Sequence, residues 1–253
     1  MKAVVIIPAR MASSRLPGKP LADIGGVPMI VRVWAQAMKA GVGPVVVAAA
    51  EQDIADAVER AGGHAVLTHP DLPSGSDRIF AALQGFDPGG CYDTVINLQG
   101  DLPALDPGQV RAAAEALPGF DIATLAAPIV QEDDRTNPAV VKAVVAWEPD
   151  GAPDGCRKGR ALYFTRAPAP AGEGPLFYHV GLYAFTRAAL QRFVALPPSP
   201  LEQREKLEQL RALESGMSIA VARVDAVPLS VDTPEDLEYA RKVIGSDGPA
   251  CQR

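Results

Sequence analysis

The feature that most constrains this chain is a short apolar strand that runs straight into a cationic loop. Val4 to Ile7 is an uninterrupted β-branched run, the pattern of a strand buried on both faces. It stops at Pro8, and Arg10, Arg15 and Lys19 then follow among small residues and a Pro17-Gly18 turn. In open α/β sheets the crevice at the carboxyl ends of the strands is where ligands bind. Arginine brings paired donors in a rigid fork, lysine a compact charge, and loop amides can close on anionic oxygens, so a triphosphate is the guest this loop suits. A solvated turn is the plain alternative. Three cations in ten residues, directly after an apolar strand, favour anion binding over it. The spacing is neither a Walker A loop nor G-x-G-x-x-G, which sets aside P-loop NTPases and dinucleotide dehydrogenases.

Strands and helices then alternate. A helix is expected from Ile30 to about Lys39, a strand over Val45 to Ala48, a helix capped by Asp53 and reaching Ala61, and a strand from His64 to Thr68. Further strands are expected over Thr94 to Leu98 and Asp121 to Leu125. This rhythm predicts an α/β fold of Rossmann-like, three-layer type with a mostly parallel central sheet. Between about 132 and 186 it changes to a β-rich inserted region with a Gly-, Pro- and Asp-rich loop from Glu148 to Gly159. That insertion either pairs back on the sheet or projects from it as a lid or dimer surface. Helices over Arg187 to Val194 and Leu201 to Glu214 complete a single domain of residues 1–244, and 245–253 reads as a poorly ordered tail.

Two carboxylates are left over after local duties are assigned. Asp101 follows the strand ending at Leu98, while the next helix has its own cap and first-turn proline in Asp106-Pro107. Asp232 precedes Thr233-Pro234-Glu235-Asp236, which starts a helix without its help. Such a pair suits Mg²⁺ on a nucleotide, which is held by one or two carboxylates plus phosphate oxygens. Ser74-Gly75-Ser76-Asp77-Arg78 can start a helix, with Ser74 or Ser76 as its cap, and the turn also exposes backbone groups to a base with Arg78 one turn in. The formal charge of −6 argues against non-specific nucleic-acid binding. Cys91, Cys156 and Cys251 are scattered, without metal or disulfide spacing. With no signal peptide and no apolar run long enough to span a bilayer, a cytoplasmic protein without membrane attachment is expected. The chemistry these pieces suit is nucleotidyl transfer, in which positioning and charge neutralisation do most of the work.

The N-terminal stretch Pro8-Ala9-Arg10-Met11-Ala12-Ser13-Ser14-Arg15-Leu16-Pro17-Gly18-Lys19 resembles the signature loop of the cytidylyltransferases acting on 3-deoxy-manno-octulosonate (Kdo). Gln99-Gly100-Asp101, Asn137-Pro138, Ala161 to Arg166, His179 to Tyr183, Ser199 to Glu202, Leu207 to Arg211 and Val231 to Leu237 are similar to segments of that family in the same order. The resemblance implies that CTP and Kdo give CMP-Kdo and pyrophosphate, activating Kdo for lipopolysaccharide synthesis. It implies that Asp101 and Asp232 hold Mg²⁺, and that Lys19 and Arg10 act with them in catalysis. Pro8, Ala9, Arg10, Arg15, Lys19, Ser74, Gly75 and Arg78 then contact the nucleotide. Gln99, Arg166, His179, Tyr183, Glu208 and Gln209 surround the sugar acid, and a homodimer built on the inserted region is implied.

The chain also departs from the family pattern. Leu102 stands where a second acid usually follows Asp101, and Ala167 to Gly174 replaces a longer segment after Arg166. Asp77 replaces a common Glu, and Leu229-Ser230 a Gly-rich approach to Asp232. These changes leave a related acid, 8-amino-Kdo or a sialic acid, open as the acceptor. Without the resemblance, His179 and Tyr183 read as core groups on one strand face, and Glu208 as a solvated helix residue. A non-catalytic nucleotide-sugar sensor is the alternative from another class, but it would be expected to have lost Asp101, Asp232 or Lys19.

Overall fold

The computed structural model describes residues 2–13, 15–149 and 158–245. In chain order the elements are β1 (Ala3–Ala9), a 3₁₀ turn (Lys19–Leu21), β2 (Asp23–Ile24), β3 (Val27–Pro28), α1 (Met29–Ala40), β4 (Val45–Ala49), α2 (Gln52–Arg60), β5 (His64–Leu67) and α3 (Gly75–Phe86). They continue with β6 (Thr94–Asn97), α4 (Pro107–Ala116), β7 (Ile122–Pro128), α5 (Glu132–Thr136), β8 (Lys142–Trp147), β9 (Lys158–Thr165) and β10 (Phe177–Thr186). Last come α6 (Arg187–Ala195), α7 (Pro200–Glu205), α8 (Leu210–Glu214), β11 (Ile219–Arg223) and α9 (Pro234–Gly245). Most of the expected 148–159 loop and all but the first residue of the expected tail lie outside the described residues.

The chain packs as two compact units. One comprises Val4–Cys91, Asn97–Pro107 and the segment from Pro228 onward. Its strands run β5-β4-β1, and both pairings are parallel. Val4, Val5, Ile6 and Ile7 are all fully buried, as an apolar strand with no alternation requires. The amphipathic helix α1 buries Met29, Ile30, Val33, Ala37 and Ala40 and ends at Gly41 in the left-handed conformation. A small cluster of Ile24, Met29, Val231, Leu237 and Ala240, with Leu16 packed on it, joins the cationic loop, the β2-β3 hairpin and α9. This cluster brings α9 beside the loop that follows β1.

The other unit comprises the residues up to Ala3, Tyr92–Ile96 and Gly108–Val227. Its strands run β6-β10-β7-β11-β9-β8, and the pairing is mixed. β11 is parallel to β7, whereas β10 with β7, β11 with β9 and β8 with β9 are antiparallel. The parallel pattern expected from sequence thus describes the first unit's strands, and the β-rich region brings antiparallel pairing to the second. Of the two dispositions open to that region, β10 takes the first by pairing back on β7.

Several local expectations change in three dimensions. Asp53 lies inside the first turn of α2, and Glu51 occupies the N-cap position. The helix expected from Leu201 to Glu214 is two, α7 and α8, broken where Lys206 takes a left-handed φ of 58°. Strand β11 was hidden because Ile219 to Arg223 is short and buried, a run whose period does not distinguish strand from helix. Where β8 and β9 pair, Gly159 lets two backbones approach closely. A Cβ there would meet Val145 Cγ1 at 2.6 Å and the Ala146 carbonyl oxygen at 2.7 Å. Gly159→Ala is therefore expected to destabilise the fold by about 1–3 kcal/mol, because a backbone atom cannot yield as a rotamer does. Thermal unfolding reads this as a lowered Tm.

Candidate active site

In the first unit, fifteen of the described residues line one cavity of about 340 Å³. They include Pro8, Ala9, Arg10, Arg15 and Lys19 from the loop after β1, Ser74, Gly75 and Arg78 from the start of α3, and Gln99, Gly100 and Asp101 from the segment after β6. The eight residues expected at the nucleotide thus share one cavity with Gln99 and Asp101. Ala12, Ser13, Pro20, Leu72 and Gly100 also line it and were not expected. For Gly100 there is a signal in the structure, since a Cβ there would come within 3.0 Å of the Pro8 carbonyl oxygen. Glycine lets the two strand ends meet at the cavity wall.

At one side of the cavity Lys19 Nζ lies 2.8 Å from Asp101 Oδ2 and 2.9 Å from Asp232 Oδ1. Arg15 Nη2 adds a 3.2 Å contact to the same Asp232 oxygen. Burial alone would lower the lysine pKa, but the charges and hydrogen bonds of Asp101 and Asp232 outweigh it and hold the ammonium above the ordinary lysine value. Local structure sets this meeting. The Pro17-Gly18 turn puts Gly18 in the left-handed conformation ahead of the 3₁₀ turn at Lys19. Val231 N–H donates to the Asp101 carbonyl at 3.0 Å, which ties the two acidic segments together. Asp236, accepting from the N–H groups of Asp232 and Thr233, with Thr233 Oγ1 accepting in return, starts α9. Asp232 is free of capping duty, as its sequence context suggested.

The two carboxylates therefore present oxygens to a single cation position. Among the described residues no group of three or more His, Cys, Asp or Glu side chains could hold a metal ion. A divalent ion at this pair would complete its shell with phosphate oxygens and water, the usual manner of Mg²⁺ on a nucleotide. The donor set fits that ion.

Ser74 caps α3, its hydroxyl oxygen accepting from Asp77 N–H at 3.2 Å and lying 2.7 Å from Asp77 Oδ2. The local reading of that serine holds, and its contribution to the cavity is the helix start it fixes. Arg78 is 2% exposed, and its guanidinium donates to Thr68 Oγ1 and to the carbonyls of His69 and Pro70. It braces the Thr68 to Pro70 segment from inside. Burial first, and the Arg10 charge second, lower its pKa, with Glu51 acting in the other direction.

In the second unit, Tyr183 and Gln209 meet at the His179 imidazole, and Glu208 acts on Tyr183 through its charge. His179 Nε2 is 3.0 Å from Thr124 Oγ1 and its Nδ1 3.5 Å from Gln209 Nε2. The Thr124 hydroxyl also faces the carbonyls of Val180 and Leu182, at the register irregularity of β10. It has one proton to donate, so the arrangement is satisfied when Nε2–H donates to Thr124 and Nδ1 accepts from Gln209, a tautomer assigned from the network. Phe164 and Tyr183 pack on the imidazole with ring centroids 4.7 and 5.5 Å away. Burial pushes His179 down to about 3, so the ring is neutral at physiological pH. Burial and the nearby Glu208 carboxylate push the Tyr183 phenol upward. Glu208 lies between α7 and α8 rather than inside a helix, its side chain 34% exposed and its Oε1 3.8 Å from Arg211. Arg166 donates from Nε to the Glu205 carbonyl at 2.8 Å and from Nη1 to the Pro138 carbonyl at 2.9 Å.

The imidazole makes stability depend on pH with a definite sign. The unfolded ring takes up a proton near 6.5, and the folded ring only near 3. Its contribution is complete above pH 6.5 and falls as pH is lowered toward 3, with a limiting slope of about 1.4 kcal/mol per pH unit. His179→Gln is expected to flatten the loss of Tm between pH 6 and pH 4 relative to the unaltered protein, a comparison calorimetry can make.

Residues 4–219 match the family model described as Cytidylyltransferase. The chain is 66% identical over 243 residues to the 3-deoxy-manno-octulosonate cytidylyltransferase of Parvibaculum lavamentivorans, covering 95% of this chain and 92% of that protein. It is 60% identical over 245 residues to the enzyme of the same name from Rhodospirillum rubrum, covering 96% and 95%. Among solved structures it is similar to a CMP:2-keto-3-deoxy-manno-octonic acid synthetase complexed with CTP. That match has a TM-score of 0.88 and 38% identity, over 98% of this chain and 100% of the other.

Proposed function

The chain belongs to the cytidylyltransferase family, and we propose that it transfers CMP from CTP to 3-deoxy-manno-octulosonate, giving CMP-Kdo and pyrophosphate. The observation that carries this reading is the convergence of Lys19, Asp101 and Asp232 beside a cavity lined by Arg10 and Arg15. A triphosphate carries several negative charges, and this wall supplies cations together with a carboxylate pair for a divalent ion. In the reaction a hydroxyl oxygen of the sugar acid attacks the α-phosphorus. The new P–O bond forms as the bond to the bridging oxygen of the leaving pyrophosphate breaks, and the hydroxyl proton is lost to solvent. Arg10, Arg15 and Lys19 bind and orient the triphosphate, and their charges offset what builds up on the pyrophosphate. Mg²⁺ held by Asp101 and Asp232 would add charge neutralisation on the phosphates.

The sugar-acid roles of Gln99, Arg166, His179, Tyr183, Glu208 and Gln209 belong to the same reading, with the family resemblance as support. A neutral His179, its two ring nitrogens held by Thr124 and Gln209, would shape the sugar pocket and leave the sugar's carboxylate charge to other groups. The β-rich region, about residues 132 to 186, is proposed as the homodimer surface or lid, in a cytoplasmic enzyme of lipopolysaccharide synthesis. Among the described residues no helix is long and apolar enough to cross a membrane.

Pyrophosphate release with Mg²⁺, measured across CTP, GTP, UTP and ATP and across Kdo, 8-amino-Kdo and N-acetylneuraminate, tests the reading. Release is expected with CTP and Kdo. Preference for another acid would keep the chemistry and move the substrate, and silence from protein that binds CTP would favour a sensor. Asp101→Ala and Asp232→Ala are each expected to lower kcat by at least about a hundredfold, the scale of losing a charge-stabilising group, with the circular dichroism spectrum unchanged. Lys19→Ala is expected to lower kcat/KM on a similar scale, and an unchanged value would remove the lysine from the transition state.

A further inference from the structure

The cationic loop closes on itself at Met11. Gly18 N–H donates to the Met11 carbonyl at 3.2 Å, so Arg10 stands just before the neck and Lys19 just after it. The other polar group of that neck, Met11 N–H, donates to Glu51 Oε2 at 2.9 Å across forty residues of sequence. The partner is unusual for its position. The β1-β4 pairing is parallel up to Ala9 opposite Ala49, and its last backbone bond runs from Ala50 N–H to the Ala9 carbonyl. Beyond that point β4 has ended and α2 begins, so no strand carbonyl remains for the next loop amide. Glu51 supplies an oxygen in its place. It occupies the N-cap position of α2, yet its side chain makes no capping bond to that helix. Asp or Ser is the usual residue at an N-cap, and the longer glutamate reaches the loop instead.

We infer that Glu51 is a positioning residue for nucleotide binding: its carboxylate clamps the neck of the cationic loop through Met11 N–H and so sets where Arg10 and Lys19 meet the triphosphate. Glu51 is not among the residues lining the cavity, so it acts through the loop backbone. A carboxylate close to a polyanion site would on charge alone weaken binding. Its place at the neck is accounted for by reach and acceptor geometry, and a neutral acceptor of the same length should serve equally well.

Three variants separate reach from charge. Glu51→Gln keeps the length and an acceptor oxygen, Glu51→Asp keeps the charge but falls short, and Glu51→Ala loses both. This role rests on the triphosphate reading of the cavity, so two measurements are paired. The first is amide hydrogen exchange at Met11 in protein without nucleotide, and the second is the CTP dissociation constant with Mg²⁺ by titration calorimetry. Loss of one hydrogen bond corresponds to about a tenfold change. Met11 exchange is expected to accelerate by about that factor in Glu51→Asp and Glu51→Ala but not in Glu51→Gln. The CTP dissociation constant should rise about three- to tenfold in the same two variants and stay at or below the unaltered value in Glu51→Gln. Unaltered Met11 exchange and CTP binding in Glu51→Asp and Glu51→Ala would overturn the inference. So would a Glu51→Gln variant as impaired as Glu51→Ala, which would make charge the cause, or freed Met11 exchange with CTP binding intact. If the unaltered protein failed to bind CTP, the triphosphate reading would fall and this role with it, whatever Met11 exchange showed of the clamp.

Discussion

Everything at the candidate site depends on one ammonium held between two carboxylates. Lys19 belongs to the first loop of the chain, Asp101 lies 82 residues further on and Asp232 lies 213 residues further on. Each of these groups would be costly to crowd among like charges alone. Together they nearly balance, and the lysine, with only 14% of its side chain exposed, stays protonated because the acids outweigh its burial. The arrangement also aims one oxygen of each carboxylate at the same ammonium. The apolar cluster around Met29 and Val231 is what makes the meeting possible, by seating the α9 entry against the loop and hairpin.

The second unit solves a different problem with similar means. A polar cluster around His179 is buried, and the cost of burying it is offset by giving each ring nitrogen a partner and the ring two tilted aromatic neighbours. The result is a neutral imidazole, suited to hydrogen bonding and unsuited to pairing with a carboxylate. The irregularity in β10 is part of this construction, because it turns the Val180 and Leu182 carbonyls toward the same threonine hydroxyl. In a regular strand these two carbonyls face the same edge but lie about 7 Å apart along it.

Much of this was legible where the chemistry is local. Thr233 stands at the helix start the sequence marks, and its Oγ1 accepts from Asp236 N–H. Asp101 and Asp232 stood out because neighbouring residues already performed the capping. Asp53 misled because a good capping residue lay two positions inside the helix, where the fold had placed the start at Glu51. The break at Lys206 was invisible because nothing in the run from Leu201 to Glu214 marks a left-handed residue, which is commonly glycine or asparagine. The residue before Lys206, Glu205, accepts from Thr165 Oγ1 and Arg166 N–H at the end of β9, and those contacts are long-range.

The sequence by itself determined the kind of chemistry on offer: an apolar strand, a loop of cations after it, two acids without local employment, and the helices and strands that separate them. These follow from side-chain type, period and short-range hydrogen bonding, which act within a few residues. Only the tertiary structure decided which of these groups meet. That Lys19 lies between Asp101 and Asp232, that Arg78 braces the Thr68 to Pro70 segment from inside, and that Glu51 leaves its own helix to hold Met11 are consequences of packing between segments far apart in sequence. Such contacts have no period or spacing to reveal them, because the geometry that creates them exists only once the core has closed.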